Sequence, residues 1–261
     1  MIRYNYFQAL VMSFYSKDLY RDVKENWGGH AILYLLLLLA ITWLPITYFM
    51  QKGINDHFPG VLDVVFGQMP EVNIKNGIVQ TPENRPYFFT DPDNKQIFGI
   101  IDTSGKFNTI DKSKAVILVT KNQFITSNNH NEVKTYNISP SLNLHIVPDV
   151  YKKTLAEWFR WVWVLIFPLF IIFSFVWRLL QGLFYAIFGK IFAVISGQDI
   201  GYLKIFVLTL ISITPTIILQ TILGIFNISF PFQWFFNFVL AIGYLIFAIR
   251  STYSNKILTP I

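Results

Sequence analysis

The chain has 261 residues, of which 53% are hydrophobic and only 14% charged, whereas a soluble domain carries about 25% charged residues. The net charge of +6 comes from Lys and Arg set beside apolar runs and not gathered on one polar face, which excludes a nucleic-acid footprint. There is no cysteine, so disulfide and thiolate chemistry are excluded and redox compartment is not readable.

The N-terminal residues 1–30 carry Arg3, Lys17, Arg21 and Lys24 together with Asp18, Asp22 and Glu25. Phe7, Leu10, Val11 and Phe14 recur at helical spacing; Ser16 interrupts as an N-cap, and Leu19, Tyr20, Val23 and Trp27 continue the pattern. Two cytoplasmic amphipathic helices are expected, lying in the membrane interface or docking a partner. The polar stretch is too long for the short basic region of a cleaved signal peptide, so the first apolar run is expected to act as an uncleaved anchor.

A helix needs about 20 apolar residues to cross a bilayer. Residues 31–50, 158–180, 205–226 and 232–249 meet that need and are the four expected spans. Pro45, Pro168 and Pro215 fall inside them as kinks that neighbouring helices accommodate. Trp161 and Trp177 stand about 24 Å apart at 1.5 Å per residue, which suits two interfacial belts. Residues 184–195 are apolar but short, and Lys190 sits among them; an interfacial or re-entrant helix ended by Gly197 is expected within a cytoplasmic segment 181–204. Arg178 is counted with Lys190 and Lys204 as a cytoplasmic flank, and Arg250 and Lys256 mark the tail 250–261. The turn between the last two spans has no Lys or Arg. The positive-inside rule then gives an N-in/C-in α-helical membrane protein of the bacterial cytoplasmic membrane.

Between the first two spans, residues 51–157 hold 11 of the 15 acidic residues and turn signals at regular intervals, including Phe58-Pro59-Gly60, Asn76-Gly77, Asp91-Pro92 and Asn128-Asn129. A helix is expected at 56–66, a hairpin from Ile97–Asp102 and 106–110, and strands at 115–120 and 133–138. This is a small, mostly-β domain inserted outside the membrane.

No catalytic, cofactor or metal set emerges. Ile100-Ile101-Asp102-Thr103-Ser104-Gly105 resembles an aspartic-protease loop, but that chemistry needs two facing aspartates, the Gly is displaced by one position and no second copy exists. Asp102 bonding backbone two residues on explains the sequence instead. Asp91-Pro92-Asp93-Asn94 opens like a calcium loop yet lacks Gly at the sixth position, where Gln96 stands; turn chemistry is the better reading. His30, His57, His130 and His145 have no paired spacing for zinc. The spans have no Asp, Glu, Lys or His away from their ends, which argues against ion-coupled transport. Ser212, Thr214, Thr216 and Gln220 are the one candidate intramembrane polar path; packing between helices is the alternative.

The stretch Ser13-Phe14-Tyr15-Ser16-Lys17-Asp18-Leu19-Tyr20-Arg21-Asp22-Val23 with Trp27, then Met69-Pro70, Asn76-Gly77 and Ile101-Asp102-Thr103, resembles the bacterial membrane family catalogued as domain of unknown function 1189. Some members of that family carry the label maltodextrin utilization protein, which implies an accessory role beside a sugar transporter. The resemblance brings no catalytic residues. The expected function is a non-enzymatic accessory protein of a transport or envelope system, partnered by the lipid bilayer and another membrane protein. A small-solute permease subunit and a sensor with a ligand-binding external domain are the alternatives.

Overall fold

The computed structural model describes residues 2–110, 115–127 and 132–253, and its first two apolar spans sit on helices much longer than hydropathy alone marks out. In chain order these are α1 (Tyr6–Met12), α2 (Lys17–Asp22), a π-helical turn (Val23–Trp27), α3 (His30–Gln68), strands β1 (Val72–Lys75), β2 (Ile78–Gln80), β3 (Pro86–Thr90), β4 (Ile97–Asp102), β5 (Ile117–Val119), β6 (Gln123–Ser127), β7 (Val133–Asn137) and β8 (Leu144–Ile146), then α4 (Pro148–Ile195), α5 (Tyr202–Ser212), α6 (Thr214–Ile225) and α7 (Gln233–Ser251). Two units result: Met1–Met50 with Trp163–Ile261, and Gln51–Val162. Among the described residues, four helical stretches are long and apolar enough to cross a membrane: α3, α4, Tyr202–Ile225 and α7.

The first unit is all helical. Asn5 caps α1 in a reciprocal pair with Gln8, and the expected cap Ser16 accepts from the backbone of Leu19. Leu19, Tyr20, Val23 and Trp27 are fully buried, with α2 against α7 and the π-turn against α5. The second half of the expected pattern thus packs against protein, whereas Phe7, Val11 and Phe14 of the first half stay exposed. Asp22 fixes the arrangement by accepting from Arg3 N (3.0 Å), Asn26 Nδ2 (2.7 Å) and Trp27 Nε1 (2.9 Å).

The separate interfacial helix expected at 184–195 does not exist. It is the end of α4, because Gln181, Gly182 and Leu183 contain nothing that breaks a helix. Gly182 is instead a packing position: a Cβ there would lie 3.0 Å from Leu210 and 3.2 Å from Phe206. Gly197 ends α4 as expected, at φ +68°, with Gln198 N bonding Ala193 O at 2.9 Å. Tyr185 and Phe188 both meet Phe238, while Gly189 lies against Ile205, Leu245 and Ile249. α4 thus runs alongside α7 and antiparallel to α5. The third apolar run is divided at Ile213, since Pro215 has no N–H for the carbonyl four residues back.

The second unit joins the far end of α3 and the start of α4 to two sheets. α3 continues beyond Met50 without a break, absorbing both the helix expected at 56–66 and the turn expected at Phe58-Pro59-Gly60. Contacts with α4 hold it there: Gln51 Nε2 donates to Phe159 O (3.0 Å), Phe58 stacks on Phe159, and Lys152 pairs with Asp63. One sheet has the order β2-β1-β8 and the other β3-β4-β5-β6-β7. β1 and β2 are joined through Asn76 and Gly77, both at positive φ, as a two-residue primed turn demands.

The hairpin expected from Ile97–Asp102 and 106–110 is absent. β4 pairs antiparallel with β3 and parallel with β5, and 106–110 is not a strand. Asp102 accounts for this: its Oδ1 accepts from Ser104 N (2.8 Å) and Oγ (2.6 Å), and its Oδ2 from Phe107 N (2.6 Å), curling the chain away from the sheet. β4 is buried on both faces, Ile101 toward Val72, Val79 and Phe89, and Ile100 toward Leu118 and Ile125. The strands expected at 115–120 and 133–138 are β5 and β7. The Asn128-Asn129 turn lies outside the described residues.

Candidate functional site

The sequence singled out Ser212, Thr214, Thr216 and Gln220, and the structure gives each a different setting. Ser212 Oγ donates to Thr209 O in its own helix (3.0 Å). Thr214 Oγ1 is hydrogen-bonded to Tyr34 OH (2.9 Å), both buried. Thr216 is buried with no partner for its hydroxyl. Gln220 Oε1 accepts from Arg178 Nη2. Of the four, only Gln220 meets Arg178; Thr216 lies one turn before it on the same face of α6.

Arg178 is the centre of the candidate site, and sequence reasoning missed it. Counted as a flank, it lies inside α4, about 22 Å from Trp163 and about 18 Å from Lys190 at 1.5 Å per residue. Arg178, Gln181 and Tyr185 fall at i, i+3 and i+7 and share a face. Arg178 Nη1 donates to Gln181 Oε1 (2.6 Å), and Gln181 Nε2 donates to Tyr185 OH (2.7 Å). The guanidinium is clamped between glutamines from two helices. Its Nε is buried without a partner, as are Thr216 Oγ1 and Asn237 Oδ1 of the same unit. The signal that could have found it is the apolar run itself. Leu179, Leu180, Leu183 and Phe184 continue the pattern past the charge, so the arginine is interior to one long stretch and does not terminate it.

An arginine stays protonated in proteins, so this site can hold negative charge. Among the described residues no group of three or more His, Cys, Asp and Glu is placed to hold a metal. His30 Nδ1 meets Tyr6 OH, and His145 Nε2 meets Glu71; His130 lies outside the described residues. Asp91 and Asn94 each bond the backbone two residues on, which is turn chemistry. Asp102 is buried, and its hydrogen bonds make it a local organiser of its loop.

A helical unit with four apolar stretches long enough to cross a membrane, joined to a separate β unit, defines the class of protein. Residues 7–249 match the family described as "Protein of unknown function (DUF1189)", and the chain belongs to that family. It is also similar to "Uncharacterized protein RP489" of Rickettsia prowazekii (strain Madrid E), 26% identical over 173 residues. That match covers 58% of this chain and 58% of the relative. No solved structure matches.

Proposed function

We propose that the protein is a non-enzymatic accessory component of a transport or envelope system in the bacterial cytoplasmic membrane. The observation that carries this reading is the internal use of the polar residues in the third apolar stretch. Ser212 bonds its own helix, Thr214 is tied to Tyr34, and Gln220 is occupied by Arg178; Thr216 alone keeps an unpartnered hydroxyl, which is too little for a continuous polar lining.

The orientation proposed is N-in/C-in, with the Gln51–Val162 unit outside. Basic residues gather at one end of the helical unit and support it: Arg21 reaches Ser251 O, Arg250 lies over Phe192, and Lys190 donates to Ile200 O. Short cytoplasmic flanks carry such an excess. The sugar-uptake label on some family members makes a sugar transporter one candidate partner.

The test is photo-crosslinking of the full chain in intact bacterial membranes, from single probe positions on the outer unit and on α4. One and the same membrane protein is expected as the adduct from several positions. Adducts to lipid alone at every position overturn the reading. A permease subunit is the second reading, favoured by Arg178 lying inside an apolar helix. It requires that Ala at Thr216 and Gln220 abolish solute uptake in proteoliposomes, whereas the accessory reading expects no uptake by the chain alone.

A further inference from the structure

Among the described residues no carboxylate pairs with Arg178. None of the 15 acidic residues lies between Glu25 and Asp56, between Glu157 and Asp199, or beyond Asp199. The apolar stretches therefore hold no negative side chain, and a second copy of the chain brings none either. A part-buried guanidinium without a counter-charge is costly in an apolar setting, and an anion from elsewhere offsets that cost.

The surroundings describe that anion. Arg178 Nη1 and Nη2 reach only neutral glutamine oxygens, and Nε reaches nothing. Thr216, one turn before Gln220, is 2% exposed with its hydroxyl unpartnered. Arg178 stands on α4, and Gln220 and Thr216 stand on α6. A small group with several acceptor oxygens suits a guanidinium fork whose only partners are neutral.

We infer that Arg178, with Gln181 and Gln220, binds an oxyanion of the phosphate class, drawn from a lipid headgroup or from solution. The inference stands apart from the accessory reading, since a binding site in the helical unit serves an accessory protein and a permease equally.

The experiment uses the full chain in nanodiscs and reads the thermal unfolding midpoint from tryptophan fluorescence. In one arm, phosphatidylcholine discs are titrated with inorganic phosphate against chloride at matched ionic strength. In the other, phosphatidylglycerol replaces part of the phosphatidylcholine. A rise of about 5 °C at saturation is expected in one arm. The phosphate arm assigns a free oxyanion and the phosphatidylglycerol arm a lipid headgroup. Arg178→Gln removes the rise, Arg178→Lys keeps part of it, and Lys204→Gln leaves it intact. Gln220→Leu retains the charge, guards against a misfolded Arg178 variant, and weakens the midpoint concentration about tenfold, a loss of one good hydrogen bond. No rise in either arm, or the same rise in Arg178→Gln and Gln220→Leu, overturns the inference. A rise produced only by a co-purified protein also overturns it, in favour of a partner's carboxylate.

Discussion

Arg21 donates from Nε to the backbone carbonyl of Ser251 at 3.0 Å, joining α2 to the last turn of α7 across 230 positions of sequence. A cation at a helix C-terminus satisfies an orphan carbonyl and opposes the helix dipole. The ion pair of Arg21 with Asp18 is largely exposed and contributes little. Arg21→Gln is therefore expected to lower stability by about 1 kcal/mol, and Asp18→Asn by much less. Unfolding midpoints of the two variants in one detergent check the ranking.

Asp22 is a stronger test of the same region. Its carboxylate accepts from a backbone N–H, an amide and the Trp27 indole, and removing it leaves the buried indole N–H unpaired. An unsatisfied buried donor costs about 1–3 kcal/mol, so Asp22→Ala is expected to destabilise by about 2 kcal/mol. Asp22→Asn, which keeps one acceptor, loses less. Loss of the Trp27 environment, read as a red shift in tryptophan emission, distinguishes this from a general loss of fold.

Much of this architecture is legible in the sequence because local chemistry decides it. Ser16 caps, Gly197 stops a helix, Asn76-Gly77 turns a hairpin, and Asp102 binds its own loop. What escapes is set by partners distant in sequence. Nothing local says that α3 runs on past Met50, since Gln51 and Phe58 are held by Phe159, about a hundred residues away. The partner of Arg178 is hidden for a related reason: Gln220, 42 positions away, is supplied by a neighbouring helix. The apolar face of Leu19, Tyr20, Val23 and Trp27 is legible as a face, but the helices it packs against are not.

Gly189 measures how tightly α4 is seated. A Cβ there would lie 2.6 Å from Ile205 Cγ2, 3.0 Å from Leu245 Cδ2 and 3.4 Å from Ile249 Cδ1. The nearest atom belongs to a β-branched side chain with little rotamer freedom. Gly189→Ala is expected to cost about 1–3 kcal/mol through overpacking. Gly243, with nothing within 4 Å of its would-be Cβ, lies inside α7, and Gly243→Ala is expected to stabilise by about 0.5–1 kcal/mol. Opposite shifts of the midpoint confirm the contrast; equal shifts refute the packing assigned to Gly189.

Asp102 makes the stability of the outer unit depend on pH. Burial pushes its carboxyl up, but the Ser104 side chain and the backbone N–H groups of Phe107, Ser104 and Lys106 outweigh that and hold it below the usual carboxylate range. A depressed value in the folded state means that the unfolded chain binds the proton more readily. The stabilisation is thus complete above the ordinary carboxylate value of about 4 and is lost as pH falls through the folded value. Hydrogen exchange of the β4 segment and its following loop, measured on the full chain between neutral pH and about pH 3 after correction for intrinsic rates, is expected to speed up at the acid end. Asp22 titrates in the same direction, so Asp102→Asn is the deciding control. It removes the acid-side acceleration at 97–107 while leaving that of the N-terminal segment, and it costs about 2 kcal/mol at neutral pH because a buried acceptor of backbone N–H groups is weakened. An unchanged acid profile at 97–107 in Asp102→Asn refutes the assignment.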